Sequence, residues 1–411
     1  MKYFLFKVHF FILVFLITYE YGMYRDRLFS EFAYIYLVIS VVLFFFIAKV
    51  NKTISIQLDK KGLVLSIIFL SFGLFSSILN KTLLSGFILT VGQSLLFFAF
   101  YFTYKLVNRY KQEYIMLLSD SLISLGLISF IVAIILIIYG SISFGSIEIV
   151  STNSYRIVGW YGSSNRMGAV FGAAIIALIY KRNTLEFKTL SKKKRIFNLI
   201  YILITFLGLL LTGSRGSWLS TIFGILIFYS LNISFKKMRY RKLLSIVIGF
   251  FFILIATFFF AREMGYSFDI IIDEFVREEH FQTQLSTDAE GGRAYIINES
   301  FKFLRASDFN NILWGHGNSA IINKFGFSTH NGFLSLFIDY GIVCFVVFAY
   351  FIYYIIKLAR RRKQYTDCFS LSMLGMILVK NLTNADWPGY TFTGILFINI
   401  VLLIIVRKSY S

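Results

Sequence analysis

An arginine stands where this chain has almost no loop to hold it. In LLLTGSRGSWLS, Arg215 falls between two apolar runs, 196–212 and 217–231. A guanidinium at membrane depth is costly and normally faces a cavity or an anion. It can also snorkel and pin a helix end, and the residues alone leave both readings open. Gly213 and Gly216 beside it let a backbone or a ligand come close. His330, in FGFSTHNGFLSLFIDYG, stands where a long polar stretch meets another apolar run. It reads first as a hydrogen-bonded interfacial histidine, and second as a group that takes a proton near neutral pH. Asn331 and Gly332 follow it directly. Arg293 follows Gly291 and Gly292 and opens an amphipathic stretch. A solvated arginine is the simpler reading there, and an anion site at a helix N-terminus the sharper one. Arg156 and Arg166 flank GWYGSSN, with Asn165 at the entry of a further apolar run. His316, in LWGHGNS, lies between glycines and reads as part of a tight turn.

The elements that must position these groups follow from hydropathy. The mean hydropathy is +0.73, with 57% hydrophobic and 15% charged residues, which excludes an ordinary soluble domain. Twelve apolar spans are expected, at 3–19, 32–48, 62–79, 83–104, 115–139, 167–180, 196–212, 217–231, 243–261, 331–356, 368–381 and 391–406. Each is near the ~20 residues that cross a bilayer, and each must be helical because lipid cannot satisfy an open backbone. The fold expected is therefore an all-α polytopic membrane protein, with residues 1–411 forming one integral domain. Assigning alternate connections to the inside, starting with the N-terminus, places 28 of the 41 Lys and Arg there against only five acids, a net of +23. The outside is then −3. Cytoplasmic loops retain Lys and Arg, so both termini are expected inside, and the basic runs need no nucleic acid to explain them. The apolar run after Lys2 and Lys7 lacks a small-residue cleavage site and reads as a first transmembrane helix.

Two outer connections are long. The first, 140–166, is rich in Gly, Ser and Thr and suggests loop and short strand. The second, 262–330, is the large extracytoplasmic loop, with helical amphipathic patterns at 268–281 and 293–305. Loops of that length are uncommon unless functional. On the resulting outer face stand Arg156, Arg166, Arg215, Arg293 and His330, on a side that is otherwise net negative. Guanidinium forks suit phosphate and diphosphate oxygens, so a lipid-linked diphosphate presented at the outer leaflet fits the set. Metal is the poorer reading, since the histidines lack the HExxH spacing and the acids around 273–290 form no ion-binding loop. No Walker A, G-x-G-x-x-G or G-x-S-x-G sequence is present, so no metal and no cofactor are expected.

Four pieces, GWYGSSNRMGAVFG, LLLTGSRGSWLS, GGRAYIINESFKFL with ILWGHGNS, and THNGFLSLFIDYG, occur in this order on the outer side. In that order and placement the chain resembles the bacterial O-antigen polymerase and O-antigen ligase superfamily. The resemblance implies an inverting, metal-independent glycosyltransferase of the cytoplasmic membrane, acting on undecaprenyl-diphosphate-linked glycan donors and acceptors. It implies His330 as the general base, and Arg215 and Arg293 as the groups that hold the diphosphate. Asn165, Arg166, Arg156 and Asn331 would bind substrate, and His316 would take no catalytic part. The product would be capsule, O-antigen or exopolysaccharide, and a flippase and a chain-length regulator would be partners beside the membrane lipids. A polymerase of repeat units is the leading expectation. A ligase that moves finished glycan to lipid A core or another terminal acceptor shares the same motifs. A flippase or transporter is the expectation from another class, opposed by dissimilar halves and by the near absence of mid-span charge, Asp339 being the main exception.

Overall fold

The computed structural model describes residues 38–43, 45–46, 57–80, 83–107, 111–139, 141–144, 147–150, 163–184, 191–236, 293–317, 320–325, 329–362, 365–383 and 392–407. Twelve helices are named within them: α1 Lys60–Leu79, α2 Leu83–Val107, α3 Lys111–Tyr139, α4 Ser164–Arg182, α5 Lys192–Leu211, α6 Arg215–Lys236, α7 Arg293–Arg305, α8 Phe309–Trp314, α9 Ala320–Phe325, α10 Gly332–Arg362, α11 Tyr365–Thr383 and α12 Phe392–Ile405. Two small antiparallel pairs complete the description. Strand β1 (Gln57–Leu58) pairs with β4 (Val406–Arg407), and β2 (Ser141–Phe144) pairs with β3 (Ile147–Val150) in the first long connection. Nine of the expected spans coincide with α1–α6 and α10–α12. The span expected at 32–48 is described only at 38–43 and 45–46, where it is helical. Those expected at 3–19 and 243–261, and the amphipathic stretch at 268–281, lie outside the described residues.

Helix α4 is the hub. Every side chain from Met167 to Tyr180 is buried, and α3, α5, α6, α11 and α12 pack around it. Its Gly168, Ala169, Gly172, Ala173, Ala174 and Ala177 are small, which is how helices approach closely where lipid offers no hydrophobic drive. A short span suffices because this helix meets protein on all sides. The outer helices behave oppositely. On α5, Ile196, Phe197, Leu199, Ile200, Leu203 and Leu207 are all exposed. Water would not tolerate so continuous an apolar face, and acyl chains would. Helices α1, α5 and α10 and the 112–136 part of α3 are each long and apolar enough to cross a bilayer. The protein is a helical membrane protein.

The antiparallel packing also sorts the charge. One end of the bundle gathers Lys60, Lys61, Arg182, Lys192–Arg195 and Arg360–Arg362. There Lys181 pairs with Asp120, and Arg362 donates to the Val406 carbonyl at 2.7 Å. The opposite end carries the start of α4, the α5–α6 turn, the end of α11, and α7–α9.

At that opposite end α10 is broken. Gly341 has φ +79° and ψ 174° and splits the helix in two. Gly315, with φ +84°, lies directly across it. A Cβ on Gly341 would stand 2.2 Å from the Leu313 carbonyl oxygen, and one on Gly315 would stand 2.3 Å from the Asp339 carbonyl oxygen. Two backbones therefore cross with no room for a side chain on either. The crossing is stitched by His316 N–H to Ile338 O at 2.9 Å and Gly317 N–H to Asp339 O at 3.0 Å. Gly341→Ala is expected to cost on the order of 3 kcal/mol, since it adds left-handed strain to a backbone clash. A drop in melting temperature of the detergent-solubilised protein measures it, and an unchanged melting temperature would mean that the crossing is not built this way.

Candidate functional site

Helices α5 and α6 are joined by residues 212–214 alone. Gly213 turns the chain at φ +58°, and its N–H donates to the Leu210 carbonyl at 2.9 Å. The Trp218 indole reaches back across the turn to the Leu209 carbonyl at 2.8 Å, which ties the start of α6 to the end of α5. Arg215 is the first residue of α6 and is exposed, while Ser214 and Ser217 on either side are buried. The guanidinium thus leaves from the rim of a polar floor.

That floor reaches into α4. Ser214 Oγ donates to Asn165 Oδ1 at 2.6 Å, Ser217 Oγ donates to the Asn165 carbonyl at 3.1 Å, and the two hydroxyls lie 2.8 Å apart. Contact this close requires a glycine on the facing helix, since a Cβ on Gly168 would fall 2.5 Å from Ser217 Oγ. Asn165 and the half-buried Arg166 form the first turn of α4, and Ser163 supplies no side-chain cap to it. The first turns of α4 and α6 therefore meet, each bringing an arginine. Helix N-termini favour anions, and arginine strengthens the preference.

A fourth side chain closes the floor from below. Lys380, near the end of α11, has 0% exposure, and its Nζ donates to Ser217 Oγ at 2.8 Å. Lys380, Ser214 and Ser217 are not among the candidates that residue type and spacing single out. The lysine had a signal in its position within an apolar span, where an ammonium is expensive. The two serines had none, because hydroxyls are common in apolar helices.

His330 stands just before α10 and is half-buried, with φ +50°. It is the one non-glycine residue among those described with positive φ. Such a conformation costs about 1–3 kcal/mol and persists only where the surroundings impose it. They do so here through an N-cap. Asn331 Oδ1 accepts from the Phe333 and Leu334 amides at 3.0 and 3.1 Å. Thr329 Oγ1 donates to the Asn331 carbonyl at 2.8 Å. Asn331, expected to bind substrate, has its carboxamide oxygen on the helix end that holds His330. Arg293 is the first residue of α7, and Arg156 lies outside the described residues.

His316 and Asp339 both make contacts within the fold. His316 Nε2 lies 2.7 Å from Ser307 Oγ, and its ring stacks obliquely on Phe303 with centroids 4.3 Å apart. Burial pushes its pKa below the ordinary value, with Asp308 pulling the other way and Lys324 adding to the fall. Asp339 Oδ1 accepts from the Ala320 amide at 3.0 Å, and its carbonyl accepts from Ser76 Oγ at 2.7 Å. The residue ties α9 and α1 to the kink of α10.

The fold is that of a polytopic helical membrane protein, and at this polar end the first turns of α4 and α6 converge. Residues 200–349 match the family model of the O-antigen ligases, which places that segment in the O-antigen ligase and polymerase superfamily. The match takes in Arg215, Arg293, His330 and Asp339, and leaves Asn165, Arg166 and Lys380 outside it. No curated protein matches the chain.

Proposed function

We propose that this protein is a glycosyltransferase that polymerises undecaprenyl-diphosphate-linked repeat units into surface polysaccharide at the outer face of the bacterial cytoplasmic membrane. The observation that carries the reading is the meeting of the first turns of α4 and α6, with Arg166 and Arg215, at the end of the bundle opposite the one that gathers Lys60, Lys61, Lys192–Arg195 and Arg360–Arg362. In this reading that end faces outward, by the retention of Lys and Arg inside.

The acceptor hydroxyl gives its proton to His330 as its oxygen attacks the anomeric carbon of the donor. The bond from that carbon to the diphosphate oxygen breaks, and its electron pair leaves with the lipid diphosphate. Attack opposite the leaving group inverts the anomeric centre. Arg215 and Arg293 hold the diphosphate and stabilise the charge that develops on it, while Asn165, Arg166 and Arg156 line the donor pocket. Asn331 acts through the α10 cap that holds His330 in place. A diphosphate is already a good leaving group, so orientation, acceptor deprotonation and a cationic cradle are the main requirements. The reading assigns no metal and no cofactor.

A second reading, ligation of finished glycan to a terminal acceptor, is favoured by the matched family's description as O-antigen ligase. The size distribution and attachment of surface glycan in a deletion strain separate the two. Single repeat units in place of long chains are expected. Long chains persisting on undecaprenyl diphosphate would replace the polymerase reading with the ligase, and unchanged glycan would remove both.

A further inference from the structure

The fully buried Lys380 is unexplained by the mechanism above. Two bland accounts of it are available. A lysine in the last turn of α11 complements that helix's dipole, and a lysine near a helix end can snorkel. Neither requires its ammonium to be wholly inside the protein and aimed across the interface at Ser217 of α6. An apolar side chain would occupy that depth at lower cost, and an ionisable residue retained there points to function.

The hydrogen bonds run in one direction. An ammonium donates and does not accept, so Ser217 Oγ accepts a hydrogen bond from Lys380 and is left to donate to the Asn165 carbonyl or to Ser214 Oγ. Ser214 in turn donates to Asn165 Oδ1. In this arrangement the Asn165 carboxamide turns its oxygen toward the floor, with Nδ2 as its donor end. Lys380 thereby orients both the turn that carries Arg215 and the helix end that carries Asn165 and Arg166, and sets a positive charge beneath them.

We propose that Lys380 is a positioning residue of the diphosphate site: a buried charge that acts on the bound anion through Ser217, Ser214 and Asn165 without touching it. This rests on the reading of that site as the donor site of a glycan transferase. The test uses the full-length protein in detergent or nanodiscs and geranyl diphosphate as the probe. Binding affinity and the melting temperature without ligand are measured for the wild type, Arg215→Ala, Lys380→Met and Lys380→Gln. Lys380→Met is expected to weaken geranyl diphosphate binding at least tenfold in the folded fraction, the melting temperature reporting separately what the lost hydrogen bond to Ser217 costs in stability. Lys380→Gln, which keeps a donor without the charge, is expected to lose most of the same affinity. Wild-type affinity in both variants, with Arg215→Ala weakened, would overturn the role of Lys380 and leave the site standing. A fall in melting temperature with affinity intact in the folded fraction would make Lys380 a packing residue and overturn the proposal. No binding by the wild type would sink the donor-site reading itself.

Discussion

His330→Ala is expected to abolish glycan product while the protein remains in the membrane at its normal level. Positioned general bases contribute about 10²–10⁴-fold, so the residual rate should be at or below about one part in a hundred. Stability should not fall with activity. The wild-type histidine holds a left-handed φ of +50° that disfavours any side chain, and the Asn331 cap and the Thr329 hydrogen bond remain in the variant. His330→Gly sharpens the point, because glycine adopts that φ without strain. It should relieve the backbone strain at this position and be as inactive as the alanine variant. In vitro transfer from a lipid-linked donor, normalised to folded protein, is the measurement. Activity above about a tenth of the wild type in either variant would place the base elsewhere.

Arg215→Ala is expected to lower transfer by about 10²–10³-fold, the range seen when one group that stabilises developing negative charge is removed. Its place at the first position of α6, beside buried Ser214 and Ser217, lets the guanidinium leave the floor without disturbing it. The loss should therefore appear in rate and donor affinity and leave the amount of folded protein unchanged. Arg215→Lys is the discriminating variant. Lysine restores the charge and lacks the planar fork that grips two phosphate oxygens. Partial recovery is expected, and full recovery would mean that a point charge is all the site needs. An arginine that merely anchored the helix end would show wild-type kinetics in both variants.

Hydropathy and charge are local properties, and what they govern was legible in the residues. The ends of α1–α6 and α10–α12 lie close to the expected spans, because an apolar run must be helical wherever its backbone cannot reach water. The 293–305 helix was readable from its periodic apolar face. The order of the four outer pieces pointed to the superfamily that the match at 200–349 supports. Less could be read at Asp339. Its charge within a span stood out, but its purpose depends on Ala320 and Ser76, which lie far from it in the chain. The break in α10 was equally hidden, since a glycine in an apolar run reads as a packing residue until another backbone crosses it at Gly315.

The sequence by itself determined the membrane class, the helical spans, the segregation of basic loops and the candidates Arg215, Arg293 and His330. Each follows from residue type and near neighbours. Only the tertiary structure decided that Asn165, Ser214, Ser217 and Lys380 form one hydrogen-bonded floor, and that His330 is held with positive φ by the cap of α10. The floor depends on how closely α4, α6 and α11 approach one another. Glycine, serine and lysine at scattered positions permit that approach, but nothing in their spacing along the chain announces it.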